Sequence, residues 1–247
     1  MRAKVLGAAL LAAATILGGC APDPAPEPTP DPTPSAQTTP APDPAADKEA
    51  IEAVAAEYFA ATVSAAPDGA PLYQIYALFS PDTVAYFDEV ASLAHTAGPA
   101  EIAELEISQR TVIITMRALL TYEQLAQTDG AFAFGAAQTI TMLDVGLGMV
   151  PVTGDSVTSV SLDGDLGYAE IVFESEPTGD DMQFVRVGSE WTIDCLEELA
   201  MPNEVVPMVV ADGEMTEDEA ILRGVSVAIS QLGIGAVDES IFEVPQP

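Results

Sequence analysis

The chain has 247 residues but only two cysteines, one histidine, one tryptophan and seven lysines and arginines together. Each scarcity excludes something. A zinc site draws several ligands from His and Cys, so His95 and two cysteines do not make one. Nucleic-acid binding rests on Lys and Arg contacts to phosphate, and a polybasic grip on anionic lipid needs the same residues. With 39 acidic residues against 7 basic ones, neither partner fits. No GxGxxG, P-loop or twelve-residue EF-hand spacing is present. No cofactor and no metal are therefore expected.

What is present starts at the N-terminus. Met1-Arg2-Ala3-Lys4 is a basic start, Val5 to Leu17 is apolar, and Leu17-Gly18-Gly19 ends on Cys20. The apolar run is about a dozen residues, against about 20 for a membrane-spanning helix. Basic start, short apolar centre and small residues before a cut are the marks of a secretory signal. A plain signal peptide or a short anchor helix would leave no cysteine at the cut. The segment resembles the lipobox of bacterial lipoproteins. That resemblance implies a signal peptide at 1–19, diacylation of Cys20 and an outer-face, membrane-anchored address. Two acyl chains suffice for stable anchoring. Cys195 would then be the only cysteine left, with no intramolecular disulfide.

Residues 21–46 read APDPAPEPTPDPTPSAQTTPAPDPAA. Such a proline- and acid-rich segment buries too little apolar surface to fold. A semi-rigid polyproline tether of about 80 Å at full reach is expected. Removing residues 1–19 takes away Arg2 and Lys4, which leaves 5 basic against 39 acidic residues, a net charge of −34. Acidity of that size keeps an alanine-rich secreted domain in solution.

Residues 47–247 are the length of one α+β domain. Its helical part is expected over 47–137, its sheet over 138–197 and a C-terminal helix over 216–232. Ile51, Val54, Ala55, Tyr58, Phe59 and Thr62 make one helical stripe behind Asp47, and Pro67-Asp68-Gly69 stops it. Leu72, Ile75, Tyr76 and Phe79 suggest a short helix. Ser80-Pro81-Asp82 caps another, ending at Gly98-Pro99. Arg110 to Met116 is a β-branched run that alone suits a strand. With no turn signal beside it, a helix is expected. Thr121 caps a further short helix, and Asp129-Gly130 marks a turn.

From Thr139 onward Thr, Val, Ile and Tyr alternate with polar residues. Five strands are expected, at 139–145, 156–162, 166–174, 182–187 and 190–196, forming a curved antiparallel sheet. Gly188-Ser189 suits a type II′ hairpin, which pairs Val187 with Glu190, Arg186 with Trp191, Phe184 with Ile193 and Met182 with Cys195. That register puts Met182, Phe184, Trp191, Ile193 and Cys195 on the core face. Cys195 is then a buried, inert thiol, and Arg186 sits over Trp191 as a cation–π pair. Thr216-Glu217-Asp218-Glu219 is a capping box before the stripe Ile221, Val225, Ala228, Ile229 and Leu232, which Gly233 ends.

An opening amphipathic helix at 47–65 and a final strand Gly188-Ser-Glu-Trp-Thr-Ile-Asp194 are similar to the NTF2-like (SnoaL-like) α+β cone. The resemblance spans roughly 47–197 and implies a cone whose members include enzymes, ligand binders and scaffolds. The fold alone does not choose among them.

Few residues offer chemistry. His95 at a helix end reads as a cation beside the helix dipole. Gly224-Val-Ser226-Val-Ala228 echoes a nucleophile elbow but falls inside a helix, so Ser226 reads as packing. Asp163-Gly164-Asp165 and Asp180-Asp181 read as solvated turns. The expected role is a non-catalytic domain that binds an envelope protein or a small ligand. One alternative is an NTF2-like enzyme with an acidic base in a pocket lined by residues such as Tyr58, Phe87 or Tyr168. Another is a binding lipoprotein of a transporter. Cys20 is the one residue assigned a role, as the lipid anchor; no catalytic residue is assigned.

Overall fold

The computed structural model describes residues 43–63, 70–142, 154–211 and 213–246. Cys20, the Pro67-Asp68-Gly69 stop and residues 143–145 of the first expected strand lie outside them.

Helix α1 (Pro44–Val63) begins three residues earlier than Asp47. The Asp43 carboxylate accepts from the Ala45 amide at 3.1 Å, and Pro44 fits the first helical position, where a missing N–H costs nothing. Pro44 to Ala46 thus belong to the helix and not to the tether. Asp47 is buried instead of opening the helix.

The helical part continues through α2 (Ala70–Tyr76), α3 (Pro81–Thr96), α4 (Pro99–Ile102), α5 (Ile107–Leu119), α6 (Tyr122–Leu125) and α7 (Gly130–Met142). Ser80 caps α3 as its sequence implies, accepting from the Thr83 amide. Thr121 and Gln124 close a capping box on α6. Helix α5 is buried on every side, from Ile107 through Arg117 apart from the half-buried Gln109. Its β-branched run is therefore helical by packing. The hydroxyls of Thr111 and Thr115 donate back to the carbonyls of Ile107 and Thr111 at 2.7 and 2.8 Å, which removes the cost of burying them. Phe79, Phe87 and Phe134 cluster beside it, with ring centroids 4.8 Å apart for Phe79–Phe134 and 5.5 Å for Phe87–Phe134.

The sheet is an antiparallel meander of four strands: β1 (Ser156–Asp163), β2 (Leu166–Phe173), β3 (Glu176–Val187) and β4 (Glu190–Ile193). The fold is α+β with most helices before the sheet, but the fifth strand is absent from the described residues. Residues 139–142 continue α7. The alanine-rich segment before them seats Ala133, Phe134 and Ala137 in the core, and helix propensity carries through its end. The sheet begins at 156, not 138. The β2–β3 hairpin turns on Glu174 and Ser175, both at positive φ (50° and 70°). Neither glycine nor asparagine marks that turn, so its sequence gives no warning of it.

The β3–β4 hairpin has the expected register: Val187↔Glu190, Arg186↔Trp191, Phe184↔Ile193. Gly188 alone of the two loop residues has positive φ, at 66°, as a type II′ turn requires. Met182 and Cys195 do not pair, because β4 stops at Ile193. The Asp194 carboxylate accepts from the Leu196 amide and the Thr83 hydroxyl, which bends the chain into α8 (Leu196–Leu199) and α9 (Met201–Val209). The outer edge of β4 is covered by the segment before α3: Ser80 N–H donates to the Ile193 carbonyl at 2.7 Å, and Ile193 N–H to the Leu78 carbonyl at 2.8 Å.

Helix α10 (Glu217–Gln231) opens with the Thr216–Glu219 capping box and buries Ile221, Val225, Ala228 and Ile229. Leu232 lies beyond it and is exposed, so the stripe ends one residue sooner than its spacing suggests. A 3-10 turn at Glu239–Phe242 closes the chain.

Candidate functional site

Alternation along β2 and β3 turns Ala169 and Met182 into the core and leaves Tyr168, Asp181 and Gln183 on the opposite face. Tyr168 and Gln183 are register partners there. The α8–α9 turn packs beside that face, and the two together wall a half-open cleft of about 460 Å³. Tyr168, Asp181 and Gln183 form one wall; Glu197, Glu198, Ala200, Met201 and Glu204 form the other. No Lys or Arg lines it.

Glu198 is the distinctive group. In Leu-Glu-Glu-Leu, Leu199 enters the core and Glu197 faces solvent, which leaves Glu198 half-buried between them. Its Oε2 is shut from solvent and has no hydrogen-bond partner. Burial pushes its carboxyl up to about 7 against a hydrogen bond from its own backbone amide, and the charges of Glu197 and Asp194 push the same way as burial. A cleft of acceptors with one under-satisfied carboxyl can receive a positively charged, donor-rich group. It can also trade a proton near neutral pH.

A larger cavity, about 600 Å³, lies between α4, the start of α10 and the 3-10 turn. Two of its four carboxylates are engaged, Asp218 with Arg110 at 2.7 Å and Glu219 with the Thr216 amide at 2.7 Å, while Glu239 and Glu243 are exposed. The smaller cleft is the better candidate because its half-buried Glu198 carboxyl meets no cation and leaves one oxygen without a hydrogen bond.

The residues singled out in the sequence fall in different places. Tyr58 and Phe87 are fully buried in the core; of the three expected pocket residues only Tyr168 lines the Glu198 cleft. Cys195 is buried, and desolvation pushes its thiol well above the ordinary cysteine range. His95 sits in the last turn of α3, with its ring 4.9 Å from that of Tyr122 and its Nε2 buried without a hydrogen bond. Ser226 lies within α10, where its hydroxyl accepts from the Val237 amide at 3.1 Å. Asp165 is the solvated turn residue expected, 80% exposed, and its carboxylate also lies 3.4 Å from Arg186 Nε. Asp181 enters the cleft. Among the described residues no group of three or more His, Cys, Asp or Glu is arranged to hold a metal.

A second polar cluster ties α1 to the sheet. Arg186 lies 4.4 Å over the Trp191 ring and pairs with Asp47 at 2.5 Å, while Trp191 Nε1–H donates to Asp47 at 3.2 Å. The Arg186 bond holds the Asp47 carboxyl below its usual range, against the opposing effect of desolvation. The cation–π pair was legible in the hairpin register. Its acidic partner, 139 positions before Arg186, was not.

No family model matches the chain, and neither a curated protein nor a solved structure matches it.

Proposed function

We propose that the chain is a lipid-anchored, extracytoplasmic binding domain whose ligand site is the Glu198 cleft. The Leu17-Gly18-Gly19-Cys20 lipobox supports the anchor. The observation that carries the binding reading is the lining of the cleft, where Asp181, Glu197, Glu198 and Glu204 meet beside Tyr168 with no Lys or Arg among them. A site of this kind favours an amine or guanidinium, free or on a protein partner, with Tyr168 offering an aromatic face. The NTF2-like reading is kept as a proposal for the fold, supported by the packing of α1 on the sheet and by the Trp-bearing last strand.

A second reading, acid–base catalysis by Glu198, draws on one observation: a carboxyl tuned to about 7 suits a general base at neutral pH. Calorimetry tests the binding reading. Spermidine is titrated into the full-length chain and into Glu198→Ala, with Glu123→Gln as a surface-charge control and ionic strength matched by NaCl. Saturable binding lost only in Glu198→Ala supports the site; equal weak binding by all three refutes it. For the anchor, incorporation of labelled palmitate that disappears in Cys20→Ala is the expected result, and retention of label in that variant refutes it.

A further inference from the structure

Three buried or half-buried arginines hold the domain together, and they are not alike. Arg110 meets Glu217 and Asp218, and Arg186 meets Asp47 and Asp165. Arg117, in a chain with 39 acids, meets no carboxylate within ion-pair distance among the described residues. Its guanidinium is satisfied by main-chain carbonyls alone. Nε and Nη2 reach the end of α3, at Ala94 (2.8 Å), Leu93 (3.4 Å) and Ala97 (2.5 Å). Nη1 reaches three consecutive carbonyls of the C-terminal segment, Ile241 (3.0 Å), Phe242 (3.2 Å) and Glu243 (3.0 Å).

The two sides of this arginine differ in how firmly they are otherwise held. Ala94 and Ala97 are fully buried. From Asp238 to Gln246 every residue is exposed or half-buried. The segment leaves α10 through Gly233, at φ 76°, and Gly235, which has open space around it. The last fixed point before it is the Val237 amide on Ser226. Its half-buried Ile241 and Phe242 pack against the core, yet the segment also walls two cavities. Glu239, Ser240, Phe242 and Glu243 wall the 600 Å³ cavity above Ile102 and Leu222, and Ser240, Ile241 and residues 243–246 wall one of about 270 Å³ above Leu120 and Leu125.

We propose that residues 238–246 are a detachable strap latched by Arg117, whose release joins the two cavities into one groove floored by Ile102, Leu120, Leu125 and Leu222. Carbonyls of any segment can satisfy Nη1, so the latch recognises backbone and not particular side chains. Neutral acceptors also bind a guanidinium less strongly than carboxylates do, which keeps the latch weaker than the other two arginine clamps. The remaining hydrogen bonds of the strap are local, from Ser240 and Ile241 to Asp238, from Glu243 N–H to Ser240 and from Gln246 Nε2 to the Val244 carbonyl.

Hydrogen exchange on the full-length chain in detergent tests this. In the wild type, amides at 240–243 are expected to exchange far faster than those of α5, through opening below global unfolding. Arg117→Met removes all six carbonyl bonds, the three of Nη1 to the strap among them, and should speed exchange at 240–243 about 100-fold, with β3 unchanged. Arg117→Lys, which keeps the charge but not the fork, should fall between. Gly98→Cys with Val244→Cys places two thiols at a contact of 3.4 Å from the Gly98 Cβ position to the valine methyl, and the resulting disulfide should suppress the opening. Wild-type strap amides that exchange only at the rate of α5 overturn the proposal. So does a disulfide-locked chain whose strap exchanges as fast as the wild type.

Discussion

Replacing Glu198 with glutamine should make the domain more stable, and only at the higher pH values. The folded carboxyl titrates at about 7 against 4.5 for the ordinary group. Because the folded value is raised, the folded state holds the proton more tightly. Glu198 therefore favours folding fully below about 4.5, and that contribution is lost as pH rises to about 7. At 1.36 kcal/mol per pH unit the loss reaches at most about 3 kcal/mol, and residual exposure of the side chain reduces it to about 2 kcal/mol. Glutamine mimics the neutral acid at every pH. The gap between Glu198→Gln and wild type should thus be small at pH 5 and grow to about 2 kcal/mol by pH 8.5. In a domain of this size that is a rise in Tm of roughly 4–8 °C. Urea titrations at four pH values across that range, followed by the fluorescence of Trp191, supply the curve. Stabilisation that is constant with pH, or none at pH 8.5, refutes the account of a carboxyl held neutral by its cleft. Spermidine should bind more tightly as Glu198 ionises between pH 6 and 8, which links this prediction to the proposed ligand.

Asp47→Asn should flatten the acid side of the stability profile. The Asp47 carboxyl is held low by Arg186, so its contribution is present above the ordinary carboxylate range and lost as pH falls through the depressed value; acid titration of Trp191 fluorescence in both proteins reports it. Phe134→Ala empties the centre of the aromatic cluster and should cost about 3–5 kcal/mol in chemical denaturation. A cost under 1 kcal/mol would mean the cluster collapses around the gap. Cys195 should resist alkylation in native buffer and react at once in urea, and fast native labelling would contradict its burial.

Local signals were readable wherever one residue type has one physical job. Ser80 before Pro81, Thr121 and Thr216 name their helix starts because a hydroxyl caps free amides, and Gly188-Ser189 sets a hairpin register on its own. Arg110 to Met116 was readable as a helix only by the missing turn signals. Its threonines bond back to their own helix, a fact of burial that no periodicity displays. The expected strand failed over 139–142 because alternation in Thr-Ile-Thr-Met competes with an alanine-rich helix already running into it. Glu174-Ser175 turns without a turn residue. The cleft was least visible of all: Glu198 is one of 39 acids, and only packing behind Cys195 and Leu199 separates it from its neighbour Glu197.

The clamp of Asp47 on Arg186 and Trp191 has a mechanical consequence. Tension that arrives along the chain from its N-terminal side meets the folded unit at the first turn of α1. There it is borne by an ion pair and an indole hydrogen bond that lead straight into β3 and β4. A pulled domain would thus hand the load to its sheet hairpin before the helices around α5 felt it, and the resistance of that junction would weaken in acid as Asp47 takes up its proton.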